Sequence, residues 1–202
     1  LMAQRPQMVI SIDTYKAGVA RAAVAAGAEI VNDVSAGRWD GDAAMPRALA
    51  ELECGVVLMH MRGKPEEWRT LPRISGDELL ALVVSELRQW SDAVMNAGAA
   101  RERVVLDPGF GFGKNFEENH PLLERLGELH ALGFPILAGT SRKSFVGRMM
   151  ARDGKDATPE ARLAGSLSTM KDAILQGAHI VRVHDVKESV EAAREADAMR
   201  QF

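Results

Sequence analysis

An aspartate that closes an apolar run and opens a loop of alternating glycines can present its carboxylate to a ligand. This chain has one at Asp107-Pro108-Gly109-Phe110-Gly111-Phe112-Gly113-Lys114, directly after Val104-Val105-Leu106. The glycines let backbone N–H groups approach a bound molecule closely, and Lys114 adds a positive charge. Asp13 and Asn32 stand at the ends of two further strand-like segments. Together Asp13, Asn32 and Asp107 offer two carboxylate acceptors and one amide that donates and accepts. Such a set suits a flat heterocycle with N–H groups on one edge and a carbonyl on another. Singly, each residue reads equally well as a helix cap or turn residue, because Asp and Asn are favoured there.

A second set is basic. It comprises Lys143, within Gly139-Thr140-Ser141-Arg142-Lys143-Ser144, and Arg182 and His184, within Arg182-Val183-His184-Asp185. Strand alternation predicts Arg182 and His184 on one side of their strand. A guanidinium, an imidazole and an ammonium can grip pyrophosphate without any overall positive charge. The plainer alternative is a surface basic cluster paired with Asp185 and Glu188. Other residues read as structural: Cys54 as a small packing group between a helix and a strand, His120 as a capping or surface residue, and His130 and His179 as flanking residues. Arg62-Gly63-Lys64-Pro65-Glu66-Glu67-Trp68 reads as a rim loop with solvated charges.

The elements that must position these groups repeat one alternation six times. Strands are predicted at 8–13, 30–34, 56–60, 104–107, 135–139 and 179–184, Val/Ile/Leu-rich and nearly unbroken, as parallel strands covered on both faces should be. Helices are predicted at 16–26, 42–53, 77–97, 121–131, 159–176 and 187–199, with Gly27, Gly98, Gly133 and Gly177 as C-terminal caps. No linker or composition shift divides the chain, so residues 1–202 read as a single domain. An open doubly wound sheet would carry one dominant glycine-rich loop after its first strand. Here polar residues end all six strands (Asp13-Thr14, Asn32-Asp33, His60, Asp107, Thr140-Ser141 and Arg182-His184-Asp185), which points to an α/β fold of TIM type, a (β/α)8 barrel. Six βα units are present, and closure predicts two more before Leu1.

Composition excludes several classes. The 202 residues are 47% hydrophobic with a net charge of −3, so the chain buries a sizeable core and has no global basic field for nucleic acid. A single cysteine precludes an internal disulfide framework. No apolar run approaches the roughly 18 residues of a membrane span. The opening Leu1-Met2-Ala3-Gln4-Arg5-Pro6 has no secretory pattern, so a cytoplasmic protein is expected.

The chain resembles dihydropteroate synthase. The residues that carry the resemblance are Ser11-Ile12-Asp13-Thr14, Ile30-Val31-Asn32-Asp33-Val34, Leu58-Met59-His60-Met61, the Asp107–Lys114 loop, Ser141-Arg142-Lys143-Ser144 and Arg182-Val183-His184-Asp185-Val186. They span essentially the whole chain in the family's order. The resemblance implies a folate-pathway transferase that joins 6-hydroxymethyl-7,8-dihydropterin diphosphate to p-aminobenzoate and releases pyrophosphate. It implies that Asp13, Asn32 and Asp107 bond the pterin edges, with Met59 packing on the ring and Lys143 touching the pterin. Arg182 and His184 would hold the departing diphosphate, and Phe112 and Ser144 would border p-aminobenzoate. The catalytic set would be Lys143, Arg182, His184 and Asp107. Magnesium on the diphosphate is the implied cofactor, with its protein ligand in an asparagine-rich loop of the preceding units, which this chain does not contain. A homodimer through the late helices is also implied. The alternatives are a pterin-binding methyltransferase domain and a non-catalytic pterin-binding barrel.

Overall fold

The structure, a computed structural model, describes residues 7–200. The chain divides into two compact units, one formed by residues up to His60 together with Ser85–Asp107, the other by Met61–Val84 together with the residues from Pro108 onward.

The first unit holds a four-stranded parallel sheet in chain order: β1 (Ser11–Asp13), β2 (Ile30–Asp33), β3 (Gly55–Met59) and β4 (Val104–Asp107). The crossover helices are α1 (Ala17–Ala25), α2 (Ala44–Glu51) and α3 (Gly76–Asn96), of which only the part from Ser85 belongs to this unit. The interior strands β2 and β3 are buried on both faces, with Val31, Val56, Val57, Leu58 and Met59 all buried, and Leu106 of β4 is buried beside them. β1 is shorter than the predicted 8–13, yet the Ile10 carbonyl still accepts from the Glu29 and Ile30 amides, so pairing begins one residue before the strand proper. Cys54 is buried in the α2–β3 connection, and burial raises its thiol pKa, which agrees with a packing role.

Register determines which side chains share a face. Asp13 pairs Asn32, Asn32 pairs Val57, and Met59 pairs Asp107. Neighbours in a parallel ladder point the same way, and residues two apart repeat a face. Asp13, Asn32, Met59 and Asp107 therefore line one face, while Asp33 and Leu58 point to the other.

The second unit holds the parallel pair β5 (Leu137–Ala138) and β6 (Ile180–Val181) with α4 (Phe116–Glu124), α5 (Ser144–Met149), α6 (Leu163–Leu175) and α7 (Val186–Met199). Met170 and Ile174 of α6 and Ala196 of α7 form a buried cluster against Val181 and Val183. Both strands are shorter than predicted, although the Arg182 amide still donates to the Ala138 carbonyl at 3.0 Å. The helix predicted from Pro121 begins earlier. Asn115 caps α4 through the Glu118 amide, and the Glu118 carboxylate accepts from the Asn115 amide, which leaves Pro121 inside the helix. His120 thus caps nothing; its ring meets Phe116 and Phe145 edge-on. The short α5 was not predicted. The four predicted cap glycines, Gly27, Gly98, Gly133 and Gly177, all have positive φ.

Candidate active site

In the first unit, the ends of adjacent strands assemble a polar edge. The Asn32 amide Nδ2 donates to Asp13 Oδ1 at 2.7 Å, and Asn32 Oδ1 is buried without a hydrogen-bond partner. Met59 is fully buried and Asp107 is 1% exposed on the same face. The structure therefore brings together the four residues that sequence reading assigned to a heterocycle. His60 does not join them. Its Nε2 lies 2.9 Å from Glu86 Oε2 of α3, and its ring stacks on Trp90 with centroids 5.3 Å apart, so it belongs to strand–helix packing. Asp33 is likewise structural. It accepts from the Ser35 amide and hydroxyl, both at 2.8 Å, and from the Gly37 amide at 2.6 Å. Burial nevertheless pushes its carboxyl pKa up.

In the second unit, the charge expected of Lys114 is turned inward. Its ammonium, 6% exposed, donates to the Gly109 carbonyl at 2.9 Å and the Phe112 carbonyl at 3.3 Å, bracing the glycine-rich loop. Asn119 Oδ1 accepts from the Gly111 amide at 2.7 Å and holds the same loop from α4.

A cavity of about 530 Å³ is lined by Gly139, Ser141, Arg142, Lys143, Arg182 and His184, among others. Arg182 and His184 do line one pocket, but strand alternation is not the reason, because β6 ends at Val181 and Val183 reaches the same cavity. Ser141 orients the imidazole: its hydroxyl lies 3.0 Å from His184 Nδ1 and accepts from the His184 amide at 3.2 Å. The Arg182 guanidinium lies so close to Gly139 that a Cβ there would stand 3.1 Å from Nη2. Asp185 pairs with Arg142 through two hydrogen bonds, with Nε–Oδ2 at 3.0 Å. Hydrogen bonding to that guanidinium holds the Asp185 carboxyl below its ordinary value. Lys143, Arg182 and His184 line this one cavity, and their N–H donors suit an anion with several oxygens.

Lys143 Nζ lies 3.9 Å from the Phe112 ring centroid, so the predicted aryl-site residue sits against the ammonium. Ser144, the first residue of α5, is exposed and lines a different cavity of about 370 Å³ with Phe116, Asn119, Phe145 and Arg148. Sequence reading missed Arg62 and Trp68. Arg62 is not solvated; it pairs with buried Glu118 at 3.1 Å and donates to the Pro72 carbonyl. Trp68 meets Phe112 edge-on at 5.8 Å. The Asn115/Glu118 spacing was the available signal for Glu118; nothing local marks Trp68.

A sequence profile described as pterin binding enzyme matches residues 1–184. The chain belongs to the pterin-binding enzyme family. Dihydropteroate synthase of Escherichia coli (strain K12) is 42% identical over 197 residues, covering 98% of this chain and 66% of that protein. A dihydropteroate synthase structure from Coxiella burnetii in complex with pteroic acid superposes with a TM-score of 0.88 at 37% identity, covering 98% of this chain and 70% of that one. The Xanthomonas albilineans enzyme with 4-aminobenzoic acid gives 0.84 at 40% identity, covering 96% and 66%. The fold class is therefore the TIM type expected from sequence, with six βα units among the described residues. This chain spans 66% of the length of the E. coli relative.

Proposed function

We propose that this chain carries the pterin and diphosphate subsites of a dihydropteroate synthase, which condenses 6-hydroxymethyl-7,8-dihydropterin diphosphate with p-aminobenzoate in folate biosynthesis. The observation that carries the reading is the single cavity shared by Lys143, Arg182 and His184. A methyltransferase has no diphosphate to hold, so that cavity speaks against the methyl-transfer alternative.

Asp13, Asn32 and Asp107 bind the pterin edge, with Met59 beneath the ring. Asn32 Oδ1 accepts a ring N–H, and the carboxylates accept from the amino-pyrimidinone side. The p-aminobenzoate nitrogen attacks the exocyclic methylene carbon. The C–N bond forms as the C–O bond to diphosphate breaks, and the bonding pair leaves on the diphosphate oxygen. The anilinium then loses one proton to solvent. An aniline is a weak base, so its nitrogen is already unprotonated at neutral pH and requires no general base. Arg182 and His184 hold the leaving diphosphate in the cavity they share with Lys143, so catalysis is positioning plus electrostatics.

Magnesium, which the family implies, would supply charge neutralisation on the diphosphate. Among the described residues no three His, Cys, Asp or Glu side chains converge, and none is assigned to hold it. No step is assigned to it. Phe112 and Ser144 are proposed to border p-aminobenzoate; Phe112 packs on Lys143 and Trp68, and Ser144 lines the cavity beside Phe116 and Arg148. The reading also carries a homodimer through α6 and α7, where Leu175, Val190 and Met199 are exposed, and a cytoplasmic location. Among the described residues no helix is long and apolar enough to cross a membrane.

The test is calorimetric titration with a non-reactive pterin carboxylate, using Asp107→Asn as the control. Replacing the buried carboxylate should weaken binding by about 1–3 kcal/mol, the cost of an unmade charged hydrogen bond. A folded chain that binds no pterin sinks the reading.

A further inference from the structure

The loop between β3 and α3, expected to be a solvated rim, is fastened to the glycine-rich loop at several points. The Arg62 amide donates to the Phe112 carbonyl at 3.3 Å. The Arg62 carbonyl lies against Gly113, where any Cβ would collide with it. The Arg62 guanidinium reaches across to Glu118 at 3.1 Å. Beyond this anchor the chain folds back around Glu67, whose carboxylate accepts from the Lys64 amide at 2.6 Å and whose carbonyl accepts from the Thr70 and Leu71 amides at 2.9 and 3.1 Å. This wrapped turn carries Trp68, and its indole contacts the Phe112 ring at 88°. Phe112 therefore has two partners, the Trp68 indole and the Lys143 ammonium.

We propose that Trp68 is a positioning residue of the arylamine subsite, holding the Phe112 ring, and through it the Lys143 ammonium, in the place that p-aminobenzoate meets. The proposal rests on the reading of Phe112 as an arylamine contact. Phe112 has glycines on both sides, and a phenyl ring on so permissive a backbone needs an external wall to keep one orientation. An edge-to-face contact with an indole supplies that wall. The indole N–H contributes nothing to it: Nε1 is buried and has no hydrogen-bond partner. The useful part of Trp68 is its ring, and a phenylalanine can take its place.

The experiment titrates p-aminobenzoate into the chain saturated with a non-reactive pterin carboxylate, for wild type, Trp68→Ala and Trp68→Phe. Trp68→Ala should weaken p-aminobenzoate binding about three- to ten-fold, the equivalent of one aromatic pair. Pterin affinity should stay unchanged, and Trp68→Phe should restore arylamine binding. A purely structural role would lower both affinities together. If Trp68→Ala fails to fold, Trp68→Leu keeps the apolar bulk without the ring and serves the same comparison. Equal arylamine affinity in wild type and variant overturns the role of Trp68 while leaving the arylamine subsite standing. Absence of arylamine binding by pterin-saturated wild type overturns the subsite itself, and Trp68 with it.

Discussion

Asn32 donates its side-chain amide to Asp13 across 2.7 Å, between two strands whose register sets the pair side by side. The bond fixes the orientation of the amide. Nδ2 is committed to Asp13, and Oδ1 is left as a buried acceptor without a partner. A buried polar atom with nothing to bond is costly unless something arrives to satisfy it.

Asn32→Ala should therefore weaken pterin binding by about 1–3 kcal/mol while hardly changing thermal stability, because it deletes an orphaned oxygen along with the donor. Calorimetric titration and a melting curve on the same variant check both halves. A large loss of melting temperature with unchanged pterin affinity would make Asn32 a structural residue only.

Arg182 lines the anion cavity and is not among the residues that share the pterin face. Arg182→Ala should leave binding of a pterin carboxylate nearly unchanged and weaken binding of the diphosphate-bearing pterin by about 1.5–3 kcal/mol, the range for hydrogen bonds to charged groups. Competition between the two ligands measures the split. Equal losses for both would contradict the division of labour.

Gly113 combines a φ of +67° with the Arg62 carbonyl where a side chain would begin. Gly113→Ala adds left-handed strain to a backbone clash and should cost about 2–4 kcal/mol of stability. Denaturant titration would show it as a lowered midpoint. A melting curve like that of the wild type would mean that the loop from Arg62 relaxes without penalty.

The Arg142–Asp185 pair ties the Ser141–Ser144 loop to the segment that carries Arg182 and His184. Asp185 has a folded-state pKa depressed below its ordinary value of 3.8, chiefly by the hydrogen bond from Arg142. A depressed carboxyl contributes stability that is fully present above the unfolded value and is lost as pH falls through the folded one. Wild type should lose stability relative to Asp185→Asn on moving from neutral pH into acid below the ordinary value, with the two converging at the acid end. Urea midpoints measured across that range check the sign. A gap between the two that is independent of pH would remove Asp185 from the acid response.

Much of the site was legible before any tertiary structure, and for a local reason. Strands 30–34, 56–60 and 104–107 announce themselves by unbroken apolar runs, and parallel pairing in a βα repeat brings their ends level. Asp13, Asn32 and Asp107 could thus be grouped from order alone, Met59 joined them only through the family resemblance, and the strand register places all four on one face. The basic motifs at 141–144 and 182–185 were readable in the same way, because each follows directly on a strand. What the sequence determined by itself was the βα repeat, the residues at the strand ends and the family they belong to.

Tertiary structure alone decided how the charges are spent. Lys114 looked like a ligand contact but braces loop carbonyls, Arg142 is matched by Asp185, and Arg62 is paired with buried Glu118. His60, one residue past the end of β3, is held against α3 by Glu86 and Trp90. Trp68 meets Phe112 across 44 positions of chain, a contact that no local pattern encodes. The physical reason is common to all of these. Periodicity and spacing report the backbone path, whereas the partner of a charge or a ring is chosen by packing between segments remote in sequence.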